Sequence, residues 1–125
     1  MPLVVRLFDA GGDKPLPWLR PPAGSEAARG LELLSMHPAL LDAQLRAVAL
    51  AADRADIRLL LPQVTCADDV EKVRARSPGR VPVGAMVETP GAVDQTDGIA
   101  AVSDFVSIGT NDLFATVELS PFSWR

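Results

Sequence analysis

Val81-Pro82-Val83-Gly84-Ala85-Met86-Val87-Glu88-Thr89-Pro90 decides the reading of this chain. Residues 81–87 form an apolar run with β-branched side chains, bounded by a turn signal at Thr89-Pro90, and so predict a buried strand. That strand ends on a carboxylate, Glu88. A second stretch repeats the arrangement: Asp104-Phe105-Val106-Ser107-Ile108 reads as a strand, and Gly109-Thr110-Asn111-Asp112-Leu113 carries the chain into a loop with its own acid, Asp112. Upstream, residues 57–61 predict a strand that ends at Pro62. Residues 3–8 predict another, interrupted by Arg6 and followed by the turn Asp9-Ala10-Gly11-Gly12-Asp13-Lys14.

Helical periodicity fills the gaps between these runs. Residues 26–36 predict a helix. Pro38 suits a first helical position, and Leu41, Leu45, Val48, Ala49 and Ala52 then share one helical face. Residues 67–76 predict a short helix with Val70 and Val73 inward, and residues 92–102 a weak one carrying Gly98. Residues 15–24 hold four prolines without periodicity and read as a long loop, while residues 114–125 show no continuation of the pattern. The order is β, α, α, β, α, β, α, β. Such alternation implies an α/β fold with about four parallel strands and right-handed crossovers, either a small open sheet or half of a closed eight-stranded barrel.

At 125 residues the chain is a single domain at most, and its 48% hydrophobic and 22% charged content is that of a globular protein. A net charge of −4 argues against a general nucleic-acid or anionic-membrane surface. No apolar run approaches a bilayer span, and the N-terminus lacks a signal-type pattern, so the expected location is cytoplasmic. The single cysteine, Cys66, excludes an internal disulfide and a cysteine zinc cluster; the single histidine, His37, excludes a multi-histidine metal site.

The two acids at strand ends are the main candidates for chemistry. Loops that follow parallel strands share one face of the sheet, so Glu88 and Asp112 could converge on a hard divalent cation such as Mg²⁺. The alternative is that each caps the helix after it. Arg6 and Arg29 have the guanidinium geometry that suits phosphate, although a charge inside the first strand needs a partner, and an Arg6–Asp9 ion pair would supply one. Lys14 follows Gly11-Gly12 but matches no P-loop and reads as a solvated loop charge. Cys66 reads as a semi-buried small residue, His37 as a cap or surface group, and Trp18 and Trp124 as packing residues.

Taken together, the segments resemble the C-terminal PEP-binding barrel of the PEP-utilising enzymes, the family of enzyme I of the bacterial sugar phosphotransferase system. The residues that carry the resemblance are Arg6-Leu7-Phe8-Asp9-Ala10-Gly11-Gly12-Asp13-Lys14, Arg29-Gly30-Leu31, Gln44-Leu45-Arg46-Ala47, residues 83–90 and residues 104–113, in the family's order over residues 2–113. The resemblance implies a partial TIM-type barrel spanning residues 1–125. It implies Glu88 and Asp112 as ligands to Mg²⁺, and Arg6, Arg29 and Asn111 as holders of the phosphate of phosphoenolpyruvate (PEP). It also implies phosphoryl transfer to a histidine on a phosphohistidine domain or phosphocarrier partner.

The departures from that pattern shape the expected function. Phe114-Ala115-Thr116-Val117-Glu118 stands where the family continues with Thr-Gln-Tyr, and Glu32 stands where it has a second arginine. Neither Cys66 nor His37 matches a catalytic position of the family, whose enolate-protonating cysteine lies on later strands. The expectation is therefore a PEP- and Mg²⁺-binding domain that is incomplete as a catalyst by itself and acts with other polypeptides supplying the missing parts, while a homodimer, a partner chain or a rearranged sheet would cover the two open strand edges of half a barrel. The alternatives are a truncated, non-catalytic regulatory or assembly module and, third, a lyase of the wider PEP/pyruvate superfamily.

Overall fold

The computed structural model describes residues 1–12 and 14–118. Its elements run β1 (Leu3–Arg6), α1 (Gly30–Ser35), α2 (Pro38–Ala52), β2 (Ile57–Leu61), α3 (Ala67–Arg76), β3 (Val83–Val87), α4 (Pro90–Asp94), α5 (Thr96–Val102), β4 (Phe105–Ile108) and α6 (Thr110–Glu118). The strands form one parallel sheet in the order β1-β2-β3-β4, with Leu3 opposite Ile57, Leu59 opposite Val83 and Gly84 opposite Phe105. A doubly wound sheet would reverse its strand order at a switch point. Here each strand lies beside its predecessor, as in a (β/α) barrel wall, and the α/β partial-barrel expectation holds.

Sequential strands with crossovers of one hand place their helices on one side of the sheet. Leu59, Leu61, Val83, Ala85 and Val87 accordingly pack with Leu41, Leu45 and Val48 of α2, Val70 and Val73 of α3, and Ile99 of α5 in one buried cluster. The alternate residues face the other way. There the Phe105 ring lies over Gly84 so closely that a β-carbon on Gly84 would stand 2.4 Å from it. Among the described residues, β1 and β4 pair on one side only, and Leu3, Val4 and Ile108 are exposed.

Several boundaries differ from the sequence expectations. The helix expected over 26–36 shrinks to α1 because Arg29 is extended (φ −147°, ψ 167°) and Gly30 has φ +56°. Those residues instead hold the loop after β1: Arg29 bridges Gly11, and the Gly30 N–H donates to the Ala10 carbonyl at 2.9 Å. The helix expected over 92–102 is two short ones, α4 and α5, separated at Gln95 (φ −114°, ψ 23°). β3 starts at Val83 rather than Val81, since Pro82 has no N–H to give the ladder. Residues 114–118 continue helix α6 instead of breaking the pattern, with Asp112 in its first turn, where an acid complements the helix dipole. Trp18 is 65% exposed rather than packed, and Trp124 lies outside the described residues. Among the described residues no helix is long and apolar enough to cross a membrane.

Candidate functional site

Parallel strands deliver all their C-terminal loops to one end of the sheet. Each of the four strands contributes one polar residue there: Asp9 after β1, Gln63 after β2, Glu88 after β3 and Asp112 after β4. Carboxylate oxygens of Asp9, Glu88 and Asp112 lie within 4.8 Å of one another. Glu88 and Asp112 thus converge as their strand positions suggested, and Asp9 joins them.

The contacts are specific. Glu88 is buried, 4% exposed, and its Oε1 accepts the Gln63 backbone N–H at 2.8 Å. Asp112 Oδ2 accepts Gln63 Nε2 at 3.0 Å. Arg29 grips Asp9 with two prongs, Nε to Oδ1 at 3.3 Å and Nη2 to Oδ2 at 3.0 Å, and its Nη1 lies 3.6 Å from Asp112 Oδ1. Asp9 therefore pairs with Arg29, not with Arg6 as the sequence suggested. Arg6 ends β1 with its side chain exposed, so it escapes the cost of a charge inside the sheet. Asn111 is exposed in the first turn of α6, adjacent in the chain to Asp112.

Burial raises the Glu88 pKa above its ordinary value of 4.5. The Gln63 N–H opposes that shift, and the charges of Asp112 and Asp9 add to it. Three carboxylates against one nearby guanidinium leave a site that attracts a cation. Oxygens bound to Mg²⁺ at about 2.1 Å stand up to about 4.2 Å apart across the ion. Small side-chain adjustments would bring this trio to that spacing, and its all-oxygen donor set suits a hard cation. A groove of about 790 Å³ is lined in part by Arg29, Gln63, Thr65 and Thr89, but by none of the three acids.

The capping alternatives do not hold. Thr89, not Glu88, caps α4, its Oγ1 accepting the Ala92 N–H at 3.1 Å. Asp112 sits inside α6 rather than at its cap. Cys66 is the N-cap of α3: its backbone N–H donates to the Asp69 carboxylate at 3.3 Å and its carbonyl accepts the Asp69 N–H at 3.2 Å, a structural role that agrees with a semi-buried small residue. His37 precedes α2 and its Nε2 lies 3.1 Å from the Arg20 carbonyl oxygen. Lys14 is exposed in its loop.

Sequence reasoning missed two members of the site. Asp9 was visible as the first acid after β1, in the same position as Glu88 after β3. Gln63 had the same strand-end position but no charge to draw notice.

Residues 1–117 match the family described as PEP-utilising enzyme, PEP-binding domain, four residues past the stretch 2–113 that the motifs covered. The chain is 35% identical over 124 residues to the multiphosphoryl transfer protein of Rhodobacter capsulatus, covering 90% of this chain and 15% of that protein. It is 36% identical over 121 residues to the phosphoenolpyruvate-protein phosphotransferase of Chlamydia pneumoniae, covering 90% of this chain and 20% of the relative. To the phosphoenolpyruvate-protein phosphotransferase of Streptomyces coelicolor it is 40% identical over 119 residues, 89% of this chain and 21% of the other. The chain thus spans about a fifth or less of these relatives.

Proposed function

The chain belongs to the PEP-utilising enzyme, PEP-binding domain family, and from that premise we propose that it binds PEP with Mg²⁺ at the strand-end acids and serves phosphoryl transfer from PEP to a protein histidine. The observation that carries this reading is the convergence of Asp9, Glu88 and Asp112 within 4.8 Å, with Arg29 spanning two of them.

In this reading Glu88 and Asp112 hold the cation, and Asp9 stands close enough to join them. Mg²⁺, when bound, offsets negative charge on the phosphate and on the enolate left behind. The chain's own residues bind and orient. Asp9 takes two prongs of Arg29 and so fixes the plane of the guanidinium, whose remaining edge turns toward the Asp112 side of the site. A planar fork held in this way meets phosphate oxygens with little further ordering. Arg6 and Asn111, at the same end of the sheet, complete the phosphate contacts. The acceptor is a histidine on a phosphohistidine domain or phosphocarrier protein.

Calorimetric titration of PEP in the presence of Mg²⁺ and in chelator tests the reading. Binding that needs Mg²⁺ and is lost in Glu88→Gln is expected. Absence of binding by the wild type, or binding unchanged by Glu88→Gln, overturns it.

A further inference from the structure

Gln63 is the only non-glycine residue with positive φ among the described residues, at +55°. The left-handed region is disfavoured for a residue with a β-carbon, and it persists only where the surroundings impose it. Here the surroundings are identifiable. Val64 and Pro62 beside it are fully buried. The turned backbone aims the Gln63 N–H at Glu88 Oε1, 2.8 Å away. The side chain reaches Asp112 Oδ2 at 3.0 Å. One residue on the β2 loop therefore holds the acids of the β3 and β4 loops simultaneously.

The neighbouring helix is shaped around it. A β-carbon on Gly30 would stand 2.7 Å from Gln63 Cγ and 2.9 Å from its Cβ, so the absence of a side chain at the start of α1 makes room for this one. The chemistry of the group also matters. A lysine or arginine here would neutralise the acids and compete with a cation. An apolar side chain would remove the carboxamide contact to Asp112 Oδ2. A neutral carboxamide orients the acid without cancelling its charge, and each carboxylate oxygen keeps a second lone-pair site for a metal.

We propose that Gln63 is the positioning residue of the cation site, its backbone restraining Glu88 and its carboxamide restraining Asp112, so that the two carboxylates are held close together before the ion arrives. This rests on the reading of the acids as a Mg²⁺ site. Outer groups that orient metal ligands typically affect affinity by about tenfold to a hundredfold when removed.

The test uses the intact 125-residue chain and Mg²⁺ alone as the probe. Calorimetric Mg²⁺ titration and thermal melts, with and without Mg²⁺, are run on wild type and Gln63→Met. Mg²⁺ affinity lower by about tenfold, with the Mg²⁺-dependent rise in melting temperature reduced, is the expected result. An unchanged affinity, with the melting temperature lowered equally in both conditions, means that Gln63 is only structural and overturns the proposal while leaving the Mg²⁺ site intact. Failure of the wild type itself to bind Mg²⁺ overturns both. Should Gln63→Met not fold, the wild type decides: the Gln63 side-chain amide resonances must shift on Mg²⁺ addition, in step with the Glu88 and Asp112 backbone amides. Gln63 resonances that stay fixed while those move overturn the proposal.

Discussion

Gly109 lies directly against Glu88: a β-carbon on Gly109 would stand 2.6 Å from both Cβ and Oε2 of the acid. The two residues follow adjacent strands, and the Gly109 N–H donates to the Val87 carbonyl at 3.0 Å, so neither backbone can retreat without breaking the end of the β3–β4 ladder. Glycine at 109 is what allows the Glu88 carboxylate to lie buried at the mouth of the sheet.

Gly109→Ala is therefore expected to displace Glu88. Overpacking of this kind costs about 1–3 kcal/mol, which urea unfolding measures. Mg²⁺ affinity should fall with it, and an alanine variant that binds Mg²⁺ as wild type would show that Glu88 does not need its observed position.

The Arg29–Asp9 pair yields a coupling prediction. The Asp9 side chain is 3% exposed, so Arg29→Ala leaves a buried carboxylate without its two-pronged partner. The expected loss is about 1–3 kcal/mol. Because Asp9→Ala removes the same contact, the double variant should lose clearly less than the sum of the single losses. Additive losses in chemical denaturation would mean that the pair contributes little.

Asp104 governs an acid-side dependence. Its carboxylate accepts the Val83 N–H at 2.7 Å and Arg74 Nη1 at 3.1 Å, joining the starts of β3 and β4 to α3. The Val83 hydrogen bond first, and Arg74 second, hold its pKa below the usual 3.8. A depressed carboxylate contributes stability that is present above the unfolded value and is lost as pH falls through the folded one. The stability gap between wild type and Asp104→Asn should accordingly be widest above about pH 4 and close below pH 3.8. A gap that stays constant through that window, followed by urea midpoints, would argue against this assignment.

Leu45 and Leu50 share α2 but face opposite environments, 1% and 69% exposed. Leu45→Ala should cost about 2–5 kcal/mol by opening a cavity against β2. Leu50→Ala should stay within about 0.5 kcal/mol. Equal effects in thermal or urea melts would contradict the placement of α2 on the sheet.

Much of this was legible in the sequence because its signals are local. The apolar runs at residues 57–61 and 81–87, the helical spacing of Leu41, Leu45 and Val48, and the breaks at Pro62 and Pro90 each act within a few residues. They suffice to specify a parallel α/β chain with acids at its strand ends. Where a local signal misled, a tertiary contact had overridden it. Residues 26–29 have a helical pattern, yet Arg29 and Gly30 are drawn out to bond with the loop carrying Gly11 and Ala10. Trp18 is apolar, yet the loop that carries it presents it to solvent.

The sequence by itself determined the strand–helix alternation, the location of Glu88 and Asp112 at strand ends, and the family resemblance carried by the motifs around them. The tertiary structure alone decided which polar groups meet. Arg29 rather than Arg6 takes Asp9, from 20 residues away, and Gln63 joins Glu88 across 25 residues and Asp112 across 49. The reason is physical: a strand or helix is set by neighbours along the chain, whereas these contacts exist only once the sheet order has brought the ends of separate strands to one side.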